Sequence, residues 1–231
     1  QPLQLADYHA ASYQQGGVSA VLSLESLLHL ILHHNLDHPQ FFLSLYKLCT
    51  VAIFNAPYRS RFLKLLHLSL RSVNLAAYQV AAFAKRLAGV ALHCSAPCQR
   101  FCLLQIQWLL KHHQQCLALL HRDKPVADGF DILEENDLEQ ARALSSSLWE
   151  LEALESHYSY PIAKLAASFR DANSTAVKTA PTVVDDGVTG VSYASLIGED
   201  VDVKRKKNGG RGFRRPQGVV EAGSVLHKLL A

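Results

Sequence analysis

From Val18 to about Arg170 the chain alternates apolar runs with short breakers, and within each run the apolar residues recur every three or four positions. That spacing puts them on one face of a helix, and no stretch shows the strict alternation of a half-buried strand. The first run, Val18 to His34, buries Val21, Leu24, Leu28 and Ile31. Asp37-His-Pro-Gln40 has the form of a capping box, with Pro39 tolerated in the first turn, and so predicts a second helix carrying Phe41, Phe42, Leu45 and Leu48. Asn55-Ala-Pro57 breaks the chain, and a third helix from near Pro57 carries Phe62, Leu65, Leu66 and Leu70. A fourth, about Leu75 to His93, presents Val80, Phe83, Leu87 and Leu92; a fifth, about Cys98 to Leu120, presents Leu103, Ile106, Leu109 and Leu110.

A second capping-box pattern, Asp137-Leu-Glu-Gln140, predicts a helix whose buried stripe is Leu144, Leu148, Leu151 and Leu154, with Glu150, Glu152 and Glu155 pointing elsewhere. Trp149 lies beside that stripe, where its large area is expected to fix one packing arrangement. Pro161 opens a last short helix that ends near Phe169. Helices of roughly 10–22 residues joined by short connections are expected to stack as antiparallel pairs, as in HEAT or armadillo arrays, an all-α solenoid.

Hydrophobic residues make up 49% of the 231, enough to furnish a sizeable core. The chain has no Met and opens at Gln1, which fits a piece of a longer polypeptide. Residues 1–17 are expected to be a linker from an upstream region, 18–170 the helical domain, and 171–231 a charged tail, extended and partly disordered, because the composition after Asn173 shifts to Ser, Thr, Val, Asp and Gly. Within that tail, residues 192–197 form a short aromatic and apolar island containing Tyr193 and Leu196, suited to docking. The most apolar run, Val18 to Leu32, carries Glu25 and His29 and so falls short of the roughly 18 uninterrupted apolar residues of a membrane span. No basic region with a cleavage site precedes it, so no secretory signal is read.

The residue types that carry catalysis are present without the arrangements that catalysis needs. His93, Cys94, Cys98 and Cys102 share a helix face, yet Pro97 interrupts them and no Cys-x-x-Cys knuckle is present, so buried packing explains them better than zinc. Five cysteines, an odd number on helical segments, favour a reducing, intracellular compartment. Glu25, His29 and His33 follow at four-residue spacing, which is a solvated helix face and not a His-Glu-x-x-His site. Ser145 to Ser147 lack a nucleophile elbow, and Gly209-Gly-Arg-Gly212 lacks the Gly-Lys-Ser ending of a phosphate loop. Neither an enzyme nor a cofactor site is expected.

Charge is more informative. Residues 1–127 hold 11 basic and 4 acidic side chains, and residues 128–170 hold 3 and 9. Residues 171–203 hold 1 and 6, and residues 204–231 hold 8 and 1. Blocks of opposite sign imply charged partners. Arg59, Arg61 and Lys64 at one helix start and Lys85-Arg86 in the next are expected to combine into a basic patch. Lys204, Arg205, Lys206, Lys207, Arg211, Arg214 and Arg215 surround Phe213, a composition that serves equally for RNA contact, nuclear localisation or a solvated tail.

Four segments in order carry a family likeness: Asn35-Leu-Asp-His-Pro-Gln-Phe-Phe-Leu-Ser-Leu-Tyr46, Tyr58-Arg-Ser-Arg-Phe62, Ala82-Phe-Ala-Lys-Arg-Leu87, and Ser146-Ser-Leu-Trp-Glu-Leu151 with His157-Tyr158 and Pro161. Together they resemble the CCAAT-binding-factor domain of nucleolar complex proteins over about Val18 to Phe169, and look most like the member associated with the small ribosomal subunit. The resemblance implies a non-enzymatic helical scaffold in the nucleolus. It would act in the small-subunit processome, bind a larger nucleolar protein as a heterodimer and support rRNA processing. It also marks Tyr58, Arg59, Arg61, Phe62, Lys85, Arg86, Trp149, His157 and Tyr158 as structural or partner-binding positions. Relatives in large-subunit assembly or DNA-linked transcription supply the alternative role. Two departures stand out: Asp128-Gly-Phe130 replaces the usual Asp-Pro-Phe, and His157-Tyr-Ser-Tyr-Pro161 is one residue longer than His-Tyr-x-Pro.

Overall fold

A computed structural model describes residues 2–71, 75–120, 130–131, 137–170 and 189–207. The described residues are helical, with no strand among them, and the helices pack in antiparallel pairs. Two compact units divide the chain, Gln1–Val191 and Ser192–Ala231.

The first unit opens with a 3-10 turn, Pro2–Leu5, and helix α1, Ala6–Gln14. The segment expected to be a linker is therefore helical, and it packs along α2, Gly17–His34. Only two of its apolar positions, Ala6 and Tyr13, are buried, which is too sparse a pattern to read as a helix face. Tyr13 anchors it: the hydroxyl donates to the Phe41 carbonyl at 3.1 Å, and the two rings stack at 5.7 Å. Burial raises the Tyr13 pKa, so the phenol stays protonated. Gly16 and Gly17 join the helices at φ of 76° and 61°, where a side chain would be strained. Asn35, at φ 50°, ends α2 in the left-handed conformation.

By length and composition α2 would suffice to cross a membrane. In this fold Ala20, Val21, Leu24, Leu27, Leu28 and Leu30 are buried, Ile31 is half-buried, Val18, Leu22 and Leu32 are exposed, and Glu25 pairs with Arg61.

Helix α3 spans Phe41–Leu48, so it starts after the predicted capping box and not within it. Residues 37–40 are non-helical, and the Phe41 N–H closes a turn on the His38 carbonyl at 3.0 Å. Phe41, Leu45 and Leu48 are buried as expected, while Phe42 is half-buried. A one-turn helix α4, Val51–Phe54, follows, and its Phe54 sits edge-on to Phe62 at 5.7 Å. Helices α5 (Arg59–Leu70), α6 (Ala77–His93) and α7 (Ala96–His112) follow, and α6 and α7 are the most densely buried. Every apolar position assigned to their buried faces is buried except Leu92, which is half-buried. Pro97 sits in the first turn of α7, where its missing N–H costs nothing. The expected continuation to Leu120 becomes a separate 3-10 segment, Gln114–Leu119.

Inside this core α5 and α7 meet through His67 and Gln105, both buried, with His67 Nδ1 and Gln105 Oε1 at 2.8 Å. The Trp108 ring stands edge-on to His67 at 5.4 Å. Burial lowers the His67 pKa, against the opposing pull of the Gln105 hydrogen bond.

The largest departure lies between Asp137 and Glu155. The single helix expected there is a turn, a 3-10 turn at Ala143–Ser145, an extended stretch, and then α8, Glu150–Glu155. Asp137 Oδ1 accepts from the Glu139 N–H at 2.9 Å, an Asx-turn in place of an N-cap. Ser145 Oγ donates to the Arg142 carbonyl at 2.7 Å, and the Leu148 N–H donates to the Leu119 carbonyl at 2.9 Å. Serine hydroxyls that bond the local backbone compete with helix formation, and Ser145 and Ser146, which donates to the Ser147 carbonyl at 3.3 Å, do so here. Leu148, Leu151 and Leu154 remain buried, but Leu144 is exposed. Helix α9, Tyr160–Ala167, carries Pro161 in its first turn and packs on α7 and α8.

The second unit is described through one helix, α10, Tyr193–Lys207, where the tail was expected to be extended. Its start is a reciprocal cap: the Ser195 N–H donates to Ser192 Oγ at 3.2 Å, and the Ser192 N–H donates to Ser195 Oγ at 2.9 Å. A serine in the place of the usual Glu or Gln made this box hard to recognise.

Two outcomes follow from the packing. Phe83, fully buried and edge-on to Tyr46 at 5.7 Å, should cost about 3–5 kcal/mol on Phe83→Ala, read from the urea midpoint. Because the His67 pKa is lowered in the folded state, the unfolded chain binds more protons below about pH 6.5, and stability should fall as pH drops through that value. The fall should be shallower in the double variant His67→Leu with Gln105→Leu.

Candidate functional site

The sequence places Lys85 on α6 beside Ala81 and Ala88, a face that packing must bury. A lysine there needs a counter-charge, and the structure provides Glu150 at the start of α8, with Nζ to Oε1 at 2.9 Å. Both side chains are about 95% buried, and Lys85 Nζ also donates to the Ser147 carbonyl at 2.6 Å. The same ammonium lies 5.3 Å from the Trp149 ring centroid and 5.8 Å from that of Phe130. One cation thus ties together three backbone segments, by charge, hydrogen bond and ring contact.

Trp149 itself is 52% exposed. Expected to fix one packing arrangement from beside the buried stripe, the ring is turned outward by the helix break, with the Lys85 ammonium beneath it. Glu150, expected to point away from the core, is the buried carboxylate. Arg86, next on α6, donates from Nε to the Cys49 carbonyl at 3.0 Å, and its guanidinium lies over Tyr46 at 5.1 Å. Lys85, Arg86, Trp149 and Glu150 line one cleft of about 350 Å³ with Gly89 and His93.

Of the residues expected to form a basic patch, Lys85 and Arg86 are engaged as above, and Arg61 donates from Nε to Glu25 at 2.7 Å. Arg59 begins α5, half-buried, and acts electrostatically on Cys98. Tyr58 is the residue before α5, and its carbonyl accepts the Arg61 and Phe62 N–H groups; Phe62 is wholly buried. Two of the four clustered positions are therefore parts of the helix start and the core.

His157 Nδ1 accepts from the Ser159 N–H at 3.0 Å and so shapes the turn between α8 and α9. Its pKa is lowered by partial burial, with that backbone bond opposing. Tyr158, 79% exposed, lies against the His157 ring at 4.2 Å. Tyr193 and Leu196 occupy the first turn of α10, and Lys204, Arg205, Lys206 and Lys207 its end. Arg211, Arg214 and Arg215 lie outside the described residues.

All five cysteines are free and buried. Cys98 Sγ donates to the Phe54 carbonyl at 2.8 Å and Cys116 Sγ to the Ala77 carbonyl at 3.5 Å. Burial pushes the Cys49 thiol up to about 12, against the pull of Arg86, and Cys116 up to about 11. Cys102 is raised as well, by burial first and then by Cys94. Thiols held protonated are packing groups. Among the described residues no three His, Cys, Asp or Glu side chains are grouped to hold a metal ion.

Sequence reasoning missed Glu150, Phe130 and the Glu155–Arg170 ion pair that joins α8 to the end of α9. Lys85 inside an apolar face was the available signal for a buried partner, but nothing local names which carboxylate supplies it.

Removing one member of the buried pair leaves the other uncompensated. Lys85→Met should therefore destabilise the domain by about 3–5 kcal/mol, and adding Glu150→Leu should restore most of that loss, both measured by urea unfolding.

Comparison with known proteins agrees with this architecture. The model of the CBF/Mak21 family matches residues 20–166. The chain is 42% identical over 177 residues to the human nucleolar complex protein 4 homolog, covering 75% of this chain and 34% of that protein. It is 41% identical over 169 residues to nucleolar complex protein 4 homolog A of Xenopus laevis, covering 71% and 32%. The Arabidopsis thaliana protein NUCLEOLAR COMPLEX ASSOCIATED 4 is 30% identical over 224 residues, covering 87% and 39%. The chain thus spans about a third of the length of these relatives, and it belongs to the CBF/Mak21 family.

Proposed function

We propose that this chain is the helical scaffold portion of a nucleolar ribosome-assembly factor that acts in the small-subunit processome. Its identity of 41–42% to vertebrate proteins named for a nucleolar complex, across nearly all of the helical domain, is the observation that carries the reading. Nuclear and nucleolar residence follows from the same relatives. The scaffold binds a larger nucleolar protein as a heterodimer and supports rRNA processing by holding components in place.

A non-enzymatic role fits the chemistry of the reactive side chains. Burial holds Cys49, Cys98, Cys102 and Cys116 as thiols, His67 is engaged by Gln105, and His157 shapes a turn. Each has a packing duty where an enzyme would need it exposed to substrate. Contact with precursor RNA falls to the basic run from Lys204 to Arg215, because Lys85, Arg86 and Arg61 are already committed within the helical unit.

The tagged chain, expressed in nucleated cells, should sediment with precursors of the small subunit and carry their rRNA. Recovery with large-subunit precursors, or with free protein alone, would overturn the assignment.

A further inference from the structure

Trp149 lines two clefts at once. On one side lies the 350 Å³ cleft with Lys85 and Glu150. On the other lies a cleft of about 400 Å³ between the 3-10 segment after α7, α8 and α9, walled by Leu120, Leu148, Leu151 and Phe169 and edged by Glu152 and Arg170. A half-exposed indole between two clefts is the usual form of an interface anchor, since it offers a large rigid area at small entropic cost. Here it is already held. The Lys85 ammonium under the ring is fixed by Glu150 and by the Ser147 carbonyl, so the indole is positioned before any partner arrives.

The charge at this face selects the occupant. Helix α8 reads Glu150-Leu-Glu-Ala-Leu-Glu155 and carries no basic residue. Glu150 is consumed by Lys85, and Glu155 by Arg170. Glu152 is exposed, lies one turn from Trp149 on the same face, and has no cation paired with it among the described residues.

We propose that this face docks a basic protein segment in which an arginine adjoins a leucine-like side chain. The guanidinium stacks on the exposed part of the Trp149 indole and pairs with Glu152, while the aliphatic group enters the cleft against Leu148, Leu151 and Phe169. Arginine fits better than lysine because its planar, weakly hydrated cation both stacks and forms two parallel hydrogen bonds to a carboxylate. A phosphate backbone does not fit, since, among the described residues, the one unpaired charge that α8 presents beside Trp149 is the Glu152 carboxylate.

The inference is independent of which particle the protein joins, and the chain's two tryptophans make it testable directly. Trp108 is 5% exposed and Trp149 half-exposed, so two indole N–H resonances report a buried and a surface site, assigned by loss of one in Trp149→Phe. The full chain is titrated with pools of fluorescein-labelled nonapeptides whose central pair is fixed as Leu-Arg, Leu-Lys or Leu-Glu. The Leu-Arg pool should move the Trp149 resonance and leave Trp108 in place, with the Leu-Lys pool weaker and the Leu-Glu pool silent. By anisotropy of the same pools, Glu152→Gln should weaken binding roughly twofold to fivefold and Trp149→Ala about tenfold or more. Both variants alter exposed side chains, and an unchanged urea midpoint checks that they fold. Equal binding of the Leu-Glu pool, no response to Leu-Arg, or insensitivity to Glu152→Gln would each overturn the proposal. A stronger shift with a single-stranded RNA oligomer would assign the face to nucleic acid instead, and a shift on concentrating the protein alone would assign it to a second copy.

Discussion

The buried pair between Lys85 and Glu150 sets the geometry of the C-terminal half of the helical domain. Withdrawing two charges from water costs several kcal/mol each, and their attraction repays this only when other groups complete the hydrogen bonding. The Ser147 carbonyl supplies a second acceptor to the cation at 2.6 Å. That carbonyl is available because the backbone is not helical at residues 146–148; in a continuous helix it would be engaged by an N–H four residues on. The helix break and the buried lysine therefore depend on each other. The break frees an acceptor for the cation, and the cation shares that carbonyl with the Ser146 hydroxyl at 3.3 Å. The same break turns Trp149 outward and lets the Leu148 N–H bond the Leu119 carbonyl, which joins this segment to the 3-10 turn after α7.

Elements whose stability comes from one long apolar stripe were legible in the sequence. The α5, α6 and α7 faces follow three- and four-residue spacing closely, and these helices start within two residues of the expected Pro57, Leu75 and Cys98, the ordinary scatter of helix ends, although α7 stops at His112 and not at Leu120. Elements whose position depends on a distant partner were not legible. Tyr13 fixes α1 through a carbonyl 28 residues away, and Lys85 reaches a carboxylate 65 residues on. Neither link leaves a periodic trace. Of the candidate positions, Lys85, Arg86 and Trp149 do share one cleft, whereas Tyr58 and Phe62 serve the start and core of α5.

The capping motifs show how the same letters serve different turns. Asp37 and Asp137 both precede an apolar run by the spacing of a capping box, yet each run starts its helix later. At Asp137 the side chain closes on the second N–H downstream, an arrangement that competes with capping for the same oxygen. At Ser192 the opposite holds: a box built from two serines starts α10 in a segment whose composition suggested no helix. A cap specifies a helix only when the residues after it gain from being helical. In the Asp137 segment, Ser145, Ser146 and the demand of Lys85 for a carbonyl outweigh the leucine stripe.

Charge counts need the same correction. Residues 1–127 carry eleven basic side chains, and three of them are engaged within the helical unit. Lys85 is buried against Glu150, Arg86 covers Tyr46 and holds the Cys49 carbonyl, and Arg61 pairs with Glu25 at the surface. The unit's remaining specificity lies in shape and in a few exposed aromatic side chains, above all Trp149 with Glu152 beside it. Those are the means by which one protein recognises another. What a cation contributes to a surface therefore depends on where it is engaged as well as on how many cations there are.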